Sequence, residues 1–525
     1  MELPLNPATV VSQPGPSKTE QDGCDRHFRT DHLLGDLRKR AVSGTLVTTA
    51  AQASKFGLHL ITAVVMARLL TPEDFGLVAM VTTVTGFLLI FKDAGLSTAT
   101  VQRAEITHAQ VSNLFWINVG VSAALSLIVA ALAPVVAWFY RDPRLVAVTL
   151  ALASAFAVSG AVVQHQALLN RQLRFKAIAL IDISSVTIGL LVGIVMACMK
   201  LKYWSLVGMQ LSIGLAELVL TLWTSGWRPQ RPTRGTGTVS LLRFGASLTV
   251  ASVFRRIASV SDNLLVGRWY GADAVGLYSR AAVLFMRPVE QLVMPLEAVF
   301  TPVLSRLQGD PARYRRTFLQ VYGAVALLSF PAAGLFLALS RPLVLVLLGP
   351  KWEQVVPIFA WFTIAALYFP LYYAVMWLLN TQGRGKDIMT AGLILSIATL
   401  ASVIAGLPFG PVGVAAALSC VGLLVRLPVQ FYIVGRRGPV TTADLWAVAL
   451  KYLPNWGVVL GVTYLTRRVL PSDCSLVLQL CICASAGILA GIVLMLGLPW
   501  QRREALRLCD LLKPLILRFR TPSQL

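Results

Sequence analysis

Charge is scarce in this sequence. Of 525 residues, 13% are Asp, Glu, Lys or Arg and 56% are hydrophobic, whereas a soluble domain carries about 25% charged residues. A water-soluble globule is excluded. Short alternating strand patterns of the outer-membrane barrel kind are missing as well. The seven cysteines, Cys24, Cys198, Cys420, Cys474, Cys481, Cys483 and Cys509, include no CxxC pair. They read as small buried hydrophobes, with neither a disulfide framework nor a metal site indicated. No HExxH occurs, and the five histidines are dispersed. Gly383–Lys386 reads GRGK, but without GxxxxGK[ST] spacing and with Asp387 after the lysine it is no phosphate-binding loop. Nothing here supports ATP hydrolysis, metal catalysis or a bound cofactor.

Apolar stretches are what the chain does have. From Thr45 onward they recur at about 18–25 residues, each long enough to cross a bilayer as a helix. The expected fold is an all-α polytopic membrane protein with about fourteen transmembrane helices. Residues 1–43 are polar, broken by Pro and Gly, and lack the apolar run of a signal peptide. They read as a disordered basic tail. The net charge of +22 does not point to nucleic acid. Roughly three times as many Lys and Arg fall on the tail's side of the membrane as on the other, the positive-inside asymmetry. That distribution places both termini in the cytoplasm, and contact with anionic membrane lipids accounts for the excess.

The sequence also repeats itself. VVMARLLTPEDFGLVAM, from Val64, returns as LLVGRWYGADAVGLYSR, from Leu264. Arg68 falls on Arg268, Glu73 on Asp273, Gly76 on Gly276 and Leu77 on Leu277. An even number of spans separates the copies, so both cross in the same direction: a parallel repeat about an axis along the membrane normal. Thr71-Pro72-Glu73-Asp74 has the form of a helix start, with Thr71 as N-cap. Gly76 and Gly276 suit a place where two helix backbones pass closely. The boundaries expected are a cytoplasmic tail 1–43, a first six-helix bundle 44–243 and a second 244–434. Two extra transmembrane helices, 435–497, and a basic cytoplasmic tail, 498–525, follow. Two parallel bundles facing one another form the architecture of alternating access, with the substrate path between them.

Several segments carry a family resemblance. ARLLTPEDFGLVAM, DAGLSTATVQR, FWINV and ALLNRQLRFKAIALID in the first half, then RFGASLTVASVFRRIASVSDNLLVGRWYGADAVGLYSRA and FTPVLSRLQGDPARYRRTFLQ, resemble the Wzx-type (WzxC-like) polysaccharide transporters. These belong to the multidrug/oligosaccharidyl-lipid/polysaccharide (MOP) flippase superfamily. The resemblance covers residues 40–435. It implies two bundles in a V around a central cavity. It also implies a non-enzymatic transporter that moves a polyprenyl-pyrophosphate-linked oligosaccharide across the bacterial inner membrane, for exopolysaccharide, capsule or O-antigen assembly. Polysaccharide polymerase and export proteins are the partners it implies.

Ionisable groups inside spans cost about 2.5–3.5 kcal/mol each and normally face a cavity or a partner. Lys55 and His59 share one face of the first span. The seventh holds Arg255, Arg256 and Asp262, the eighth Arg280, Arg287, Glu290 and Glu297. A pyrophosphate headgroup needs a cationic path, for which Lys55, Arg255, Arg256 and Arg280 are the candidates. Asp262, Glu290, Glu297 and His59 are candidates for ion coupling or charge balance. Arg287 and Glu290 also fit an intrahelical pair. Arg426, Glu217 and Asp182 read as helix-packing contacts, and Asn170–Lys176 as an interfacial turn. Two other classes stay open: a multidrug extruder of the same superfamily, and a membrane-embedded polymerase or glycosyltransferase. Short outer loops argue against the second, and the basic lean of the intramembrane charges argues against the first.

Overall fold

The computed structural model describes residues 37–88, 97, 100–101, 106–233, 238–471, 474–504 and 506, with the side chains of 37–50, 238–259, 292 and 298 outside the description. Among the described residues all regular structure is helical. The helices are α1 Leu37–Leu69, α2 Pro72–Leu88, α3 His108–Tyr140, α4 Arg144–Arg171, α5 Phe175–Cys198, α6 Trp204–Ser225, α7 Thr238–Arg306 and α8 Pro311–Ala338. Then come α9 Ser340–Leu347, α10 Val355–Ala365, α11 Phe369–Thr381, α12 Gly385–Gly406, α13 Gly410–Val421, α14 Leu427–Gly435, α15 Thr442–Val469 and α16 Leu476–Gly497. Among the described residues, eight helical segments are long and apolar enough to span a membrane, or nine if the α10–α11 pair, bent by 40°, counts as one. Helix α7 runs 69 residues and breaks at Gly271, whose φ of +79° favours glycine. Of the long helices, α1 and α7 are the least apolar, and they carry the candidate site residues.

The expected helix start at Thr71 is present. Thr71 Oγ1 donates to Asp74 Oδ2 at 2.7 Å, and the Thr71 N–H donates to the same carboxylate oxygen at 3.0 Å. A capping box at Thr107 and Gln110 starts α3, and another at Thr441 and Asp444 starts α15. Each satisfies backbone donors that a helix end leaves orphaned.

The repeated punctuation meets itself. Helix α2 lies along the part of α7 after the break, and this is the main contact between the halves. A Cβ on Gly76 would overlap the backbone carbonyl of Ala272, and one on Gly276 would overlap that of Pro72. Each glycine thus takes the carbonyl four residues before the other, a reciprocal crossing with room only for hydrogen. The repeated arginines also reach across. Arg68 Nη2 donates to the Val346 carbonyl at 2.6 Å, and the Arg268 guanidinium sits 5.9 Å from the Phe139 ring. Trp352 adds a bond from Nε1 to the Ala67 carbonyl at 2.8 Å and packs edge-on against Phe75. Together these contacts form a clasp at one end of the molecule.

A second repeat emerges at the opposite end, with an offset of 210 in number. Leu168-Leu169-Asn170-Arg171-Gln172-Leu173-Arg174-Phe175-Lys176 matches Leu378-Leu379-Asn380-Thr381-Gln382-Gly383-Arg384-Gly385-Lys386 in Leu, Leu, Asn, Gln, Arg and Lys. Leu173 and Gly383 both adopt left-handed backbone, with φ of 55° and 64°. The N–H of Arg174 donates to Leu169 at 3.0 Å, that of Arg384 to Leu379 at 3.1 Å. Arg174 Nη1 then donates to the Thr224 carbonyl at 3.0 Å and Arg384 Nη1 to that of Val434 at 2.9 Å. Each arginine caps the C-terminal carbonyls of the last helix in its half, where a cation is favoured. The Asn170–Lys176 turn is therefore a structural lock as well as an interfacial turn.

Two outcomes follow from these contacts. Gly276→Ala should lower the melting temperature of the detergent-solubilised protein through about 1–3 kcal/mol of overpacking, and Gly76→Ala combined with it should add less than its separate effect, because both faults lie in one crossing. Arg384 also pairs with Asp387 at 2.8 Å and is only 12% exposed, while Arg174 is exposed. Arg436 keeps Asp387 paired at 2.6 Å, so Arg384→Ala should destabilise by about 1.5–3 kcal/mol through its lost charged hydrogen bonds, and Arg174→Ala by no more than about 1 kcal/mol, read from the same melting curves.

Candidate functional site

Helix α1 packs on α5, which brings Lys55 onto Asp182. Lys55 Nζ lies 2.8 Å from Asp182 Oδ2, with side chains 34% and 24% exposed. Lys55 is therefore half of an ion pair, and Asp182, read from sequence as a packing residue, is the other half. Both side chains are partly exposed, so an anion that reaches this face can compete with Asp182 for the ammonium. His59, one turn along α1, lies within electrostatic reach of Lys55, Asp182 and Arg287. That last residue is on α7. Lys55 lies 14 residues from the clasp end of α1 and Arg287 lies 15 from Ala272, so both sit about 21–23 Å down at 1.5 Å per residue.

From Arg287 the polar groups continue along α7. Arg287 Nη1 donates to Glu290 Oε2 at 3.4 Å, the intrahelical pair its spacing implies. Arg280, two turns nearer the clasp, is within electrostatic reach of Arg287. Its guanidinium carbon stands 4.6 Å from the centre of the Phe75 ring, across the interface between the halves. Cation–π contact partly compensates its charge. Among the described residues no carboxylate lies within ion-pair distance of Arg280, and its Nε is buried without a hydrogen-bond partner. It is an unneutralised cation facing the first half.

Asp262 accepts from the Tyr278 hydroxyl at 3.0 Å and from the Asn263 N–H at 2.8 Å. The Arg255 and Arg256 side chains lie outside the described residues. Glu290 and Glu297 are half-buried and both lie within electrostatic reach of Tyr373 on α11.

Arg426, read from the sequence as a helix-packing contact, completes the second half's share with tyrosines that the sequence did not single out. Arg426 ends a π-helical turn, 422–426, between α13 and α14, and such turns often mark functional sites. Its guanidinium carbon is 5.7 Å from the Tyr368 ring centre and 5.6 Å from that of Tyr372. The Tyr368 ring lies against Gly422, where a Cβ would collide with it. Tyr368 occupies the break between α10 and α11. The available signal was a lone Arg two residues before Pro428, with the aromatic run Tyr368-Phe369-Pro370-Leu371-Tyr372-Tyr373 elsewhere. Their conjunction is tertiary. No group of three or more His, Cys, Asp or Glu able to hold a metal ion occurs among the described residues.

The Lys55–Asp182 pair generates a test. Lys55→Gln and Asp182→Asn should each destabilise the purified protein more than the double variant does. A double-mutant cycle on melting free energies should return a coupling of about 0.5–3 kcal/mol.

Comparison with known proteins gives consistent results. The family model described as polysaccharide biosynthesis protein matches residues 65–357. The lipopolysaccharide biosynthesis protein WzxC of Escherichia coli (strain K12) is 27% identical over 329 residues, 61% of this chain and 66% of that protein. The succinoglycan biosynthesis transport protein ExoT of Rhizobium meliloti (strain 1021) is 24% identical over 358 residues, 68% of this chain and 72% of that one. Among solved structures, the lipid II flippase MurJ in an inward closed conformation superposes with a TM-score of 0.70 at 16% identity, covering 86% of this chain and 98% of the other. An inward-facing multidrug resistance MATE family transporter of the MOP superfamily gives 0.53 at 16% identity, covering 75% and 96%. The all-helical MOP-type fold expected from sequence is thereby established.

Proposed function

Because the chain belongs to the polysaccharide biosynthesis protein family, we propose that it is a flippase for polyprenyl-pyrophosphate-linked oligosaccharides. It would carry complete repeat units from the inner to the outer leaflet of the bacterial inner membrane, for surface polysaccharide assembly. The observation that supports this most is Arg280: an unneutralised guanidinium beside the interface between the halves, at the head of a polar track through Arg287, His59 and Lys55. A pyrophosphate entering hydrocarbon alone would meet a prohibitive solvation cost. A cationic path offsets that cost, and guanidinium groups can hold phosphate oxygens bidentately.

In this reading the clasp closes one end while the substrate enters from the other. The headgroup displaces Asp182 from Lys55 and reaches Arg280. Arg255 and Arg256, on the same long helix, belong to this path. Loading favours a state in which the glycine crossing separates and the opposite end closes, which is alternating access. Asp262, Glu290, Glu297 and His59 then balance charge or couple the cycle to an ion. Both termini lie in the cytoplasm, as the positive-inside asymmetry indicates, and polymerase and export proteins take up the product.

The test is to delete the gene, restore it with variants and locate the lipid-linked saccharides by leaflet. Without the protein, complete repeat units should accumulate on the cytoplasmic leaflet. Arg280→Gln, at normal protein level, should restore no more than about a tenth of export, since losing one charge-assisted phosphate contact costs about 1.5–3 kcal/mol. Repeats that reach the outer leaflet unpolymerised would transfer the assignment to a polymerase. An unchanged saccharide pool would transfer it to an extruder.

A further inference from the structure

The groups around Tyr373 form a second cluster with a different chemistry. Tyr372 and Tyr373 lie with ring centres 5.7 Å apart, and Phe369 lies 5.4 Å from Tyr373. Glu290 and Glu297, two turns apart on α7, and Arg426, on the π turn, all fall within electrostatic reach of Tyr373. Two features are costly for a span and call for explanation. Among the described residues Glu297 has no cationic partner, though it is half-buried. Arg426 likewise has no carboxylate at ion-pair distance, and its Nε is buried with no hydrogen-bond partner, leaving a weak 3.4 Å contact from Nη1 to the Tyr368 hydroxyl. A half-buried carboxylate and a half-buried guanidinium around one tyrosine, neither with an ion-pair partner, are what a site looks like when its ligand supplies the missing bonds.

On the basis of the flippase reading above, we propose that Tyr372, Tyr373, Glu290, Glu297 and Arg426 form a saccharide subsite, separate from the cationic path that takes the pyrophosphate. A sugar ring has an apolar C–H face and a rim of hydroxyls. Tyrosine rings cover the face at low entropic cost. The carboxylates accept from hydroxyls while the guanidinium donates to ring or hydroxyl oxygens. An acyl chain would leave Glu297 and Arg426 unsatisfied. An organic cation would suit the rings and carboxylates but is repelled by Arg426 set among the same tyrosines and by Arg287 beside Glu290. The π turn places Arg426, and the break before α11 places Tyr372 and Tyr373 one turn on, at interrupted backbone, a means of building binding groups into membrane helices.

The experiment uses the full-length protein in detergent and two probes. One is undecaprenyl pyrophosphate without sugar; the other is the lipid-linked saccharide extracted from cells lacking the gene. Tyr373→Ala and Glu297→Gln should each weaken binding of the saccharide-bearing lipid by about tenfold or more, while affinity for the bare pyrophosphate changes less than about threefold. Tyr373→Phe, which keeps the ring, should stay close to the unaltered protein and shows that the site folds. Equal losses on both probes, or no loss on either, would overturn the saccharide subsite while leaving the flippase reading intact. Tetraphenylphosphonium binding that Glu297→Gln abolishes would overturn it in favour of a cation site. Failure of the unaltered protein to bind either probe would overturn the transport reading and this subsite with it.

Discussion

The rest of the molecule hangs on two helix backbones touching. Where α2 crosses α7, the space at Gly76 belongs to the Ala272 carbonyl and the space at Gly276 to the Pro72 carbonyl. Lipid supplies no hydrophobic drive between helices, so adhesion rests on close packing and polar contacts, and glycine permits the closest approach. A crossing of this kind is strong when seated and has little to hold it once the backbones part. It therefore suits a joint that must be either shut or open. Arg68, Arg268 and Trp352 brace the seated state from both halves.

The clasp also sets the depth at which chemistry can occur. Helix α1 descends from it and carries His59 and Lys55; α7 descends from it and carries Arg280, Arg287, Glu290 and Glu297. Equal descent along two helices brings Lys55 and Arg287 to the same level. That is how charges more than two hundred residues apart come within reach of one another. At the far end the Arg174 and Arg384 turns tie each half to its own last helix. Each half is thus firm within itself, and the halves are joined mainly by the crossing.

Charge economy follows the same logic. Arg287 and Glu290, and Lys55 and Asp182, are neutralised as pairs. Arg280 and Arg426 rest on aromatic rings instead, and Glu297 has no partner among the described residues. An aromatic face holds a guanidinium without cancelling its charge or occupying its donors. Such cations remain available to an anion or a hydroxyl in a way that a paired one does not.

Much of this was legible in the residues alone. Low charge and long apolar runs determine a helical membrane protein, because lipid leaves backbone groups no alternative to internal hydrogen bonds. The Arg68/Arg268 and Gly76/Gly276 repeat is visible in sequence, and Thr71 with Asp74 determines a helix start, since both are local patterns. The second repeat was equally local but concealed, because one copy has Leu173 where the other has Gly383. What tertiary structure alone decided is which charges meet. Lys55 and Asp182 are 127 positions apart and Arg426 and Tyr368 are 58; no periodicity relates such positions. The pairing of a charge in a membrane depends on which helix stands opposite at the same depth, and that is set by how whole helices pack.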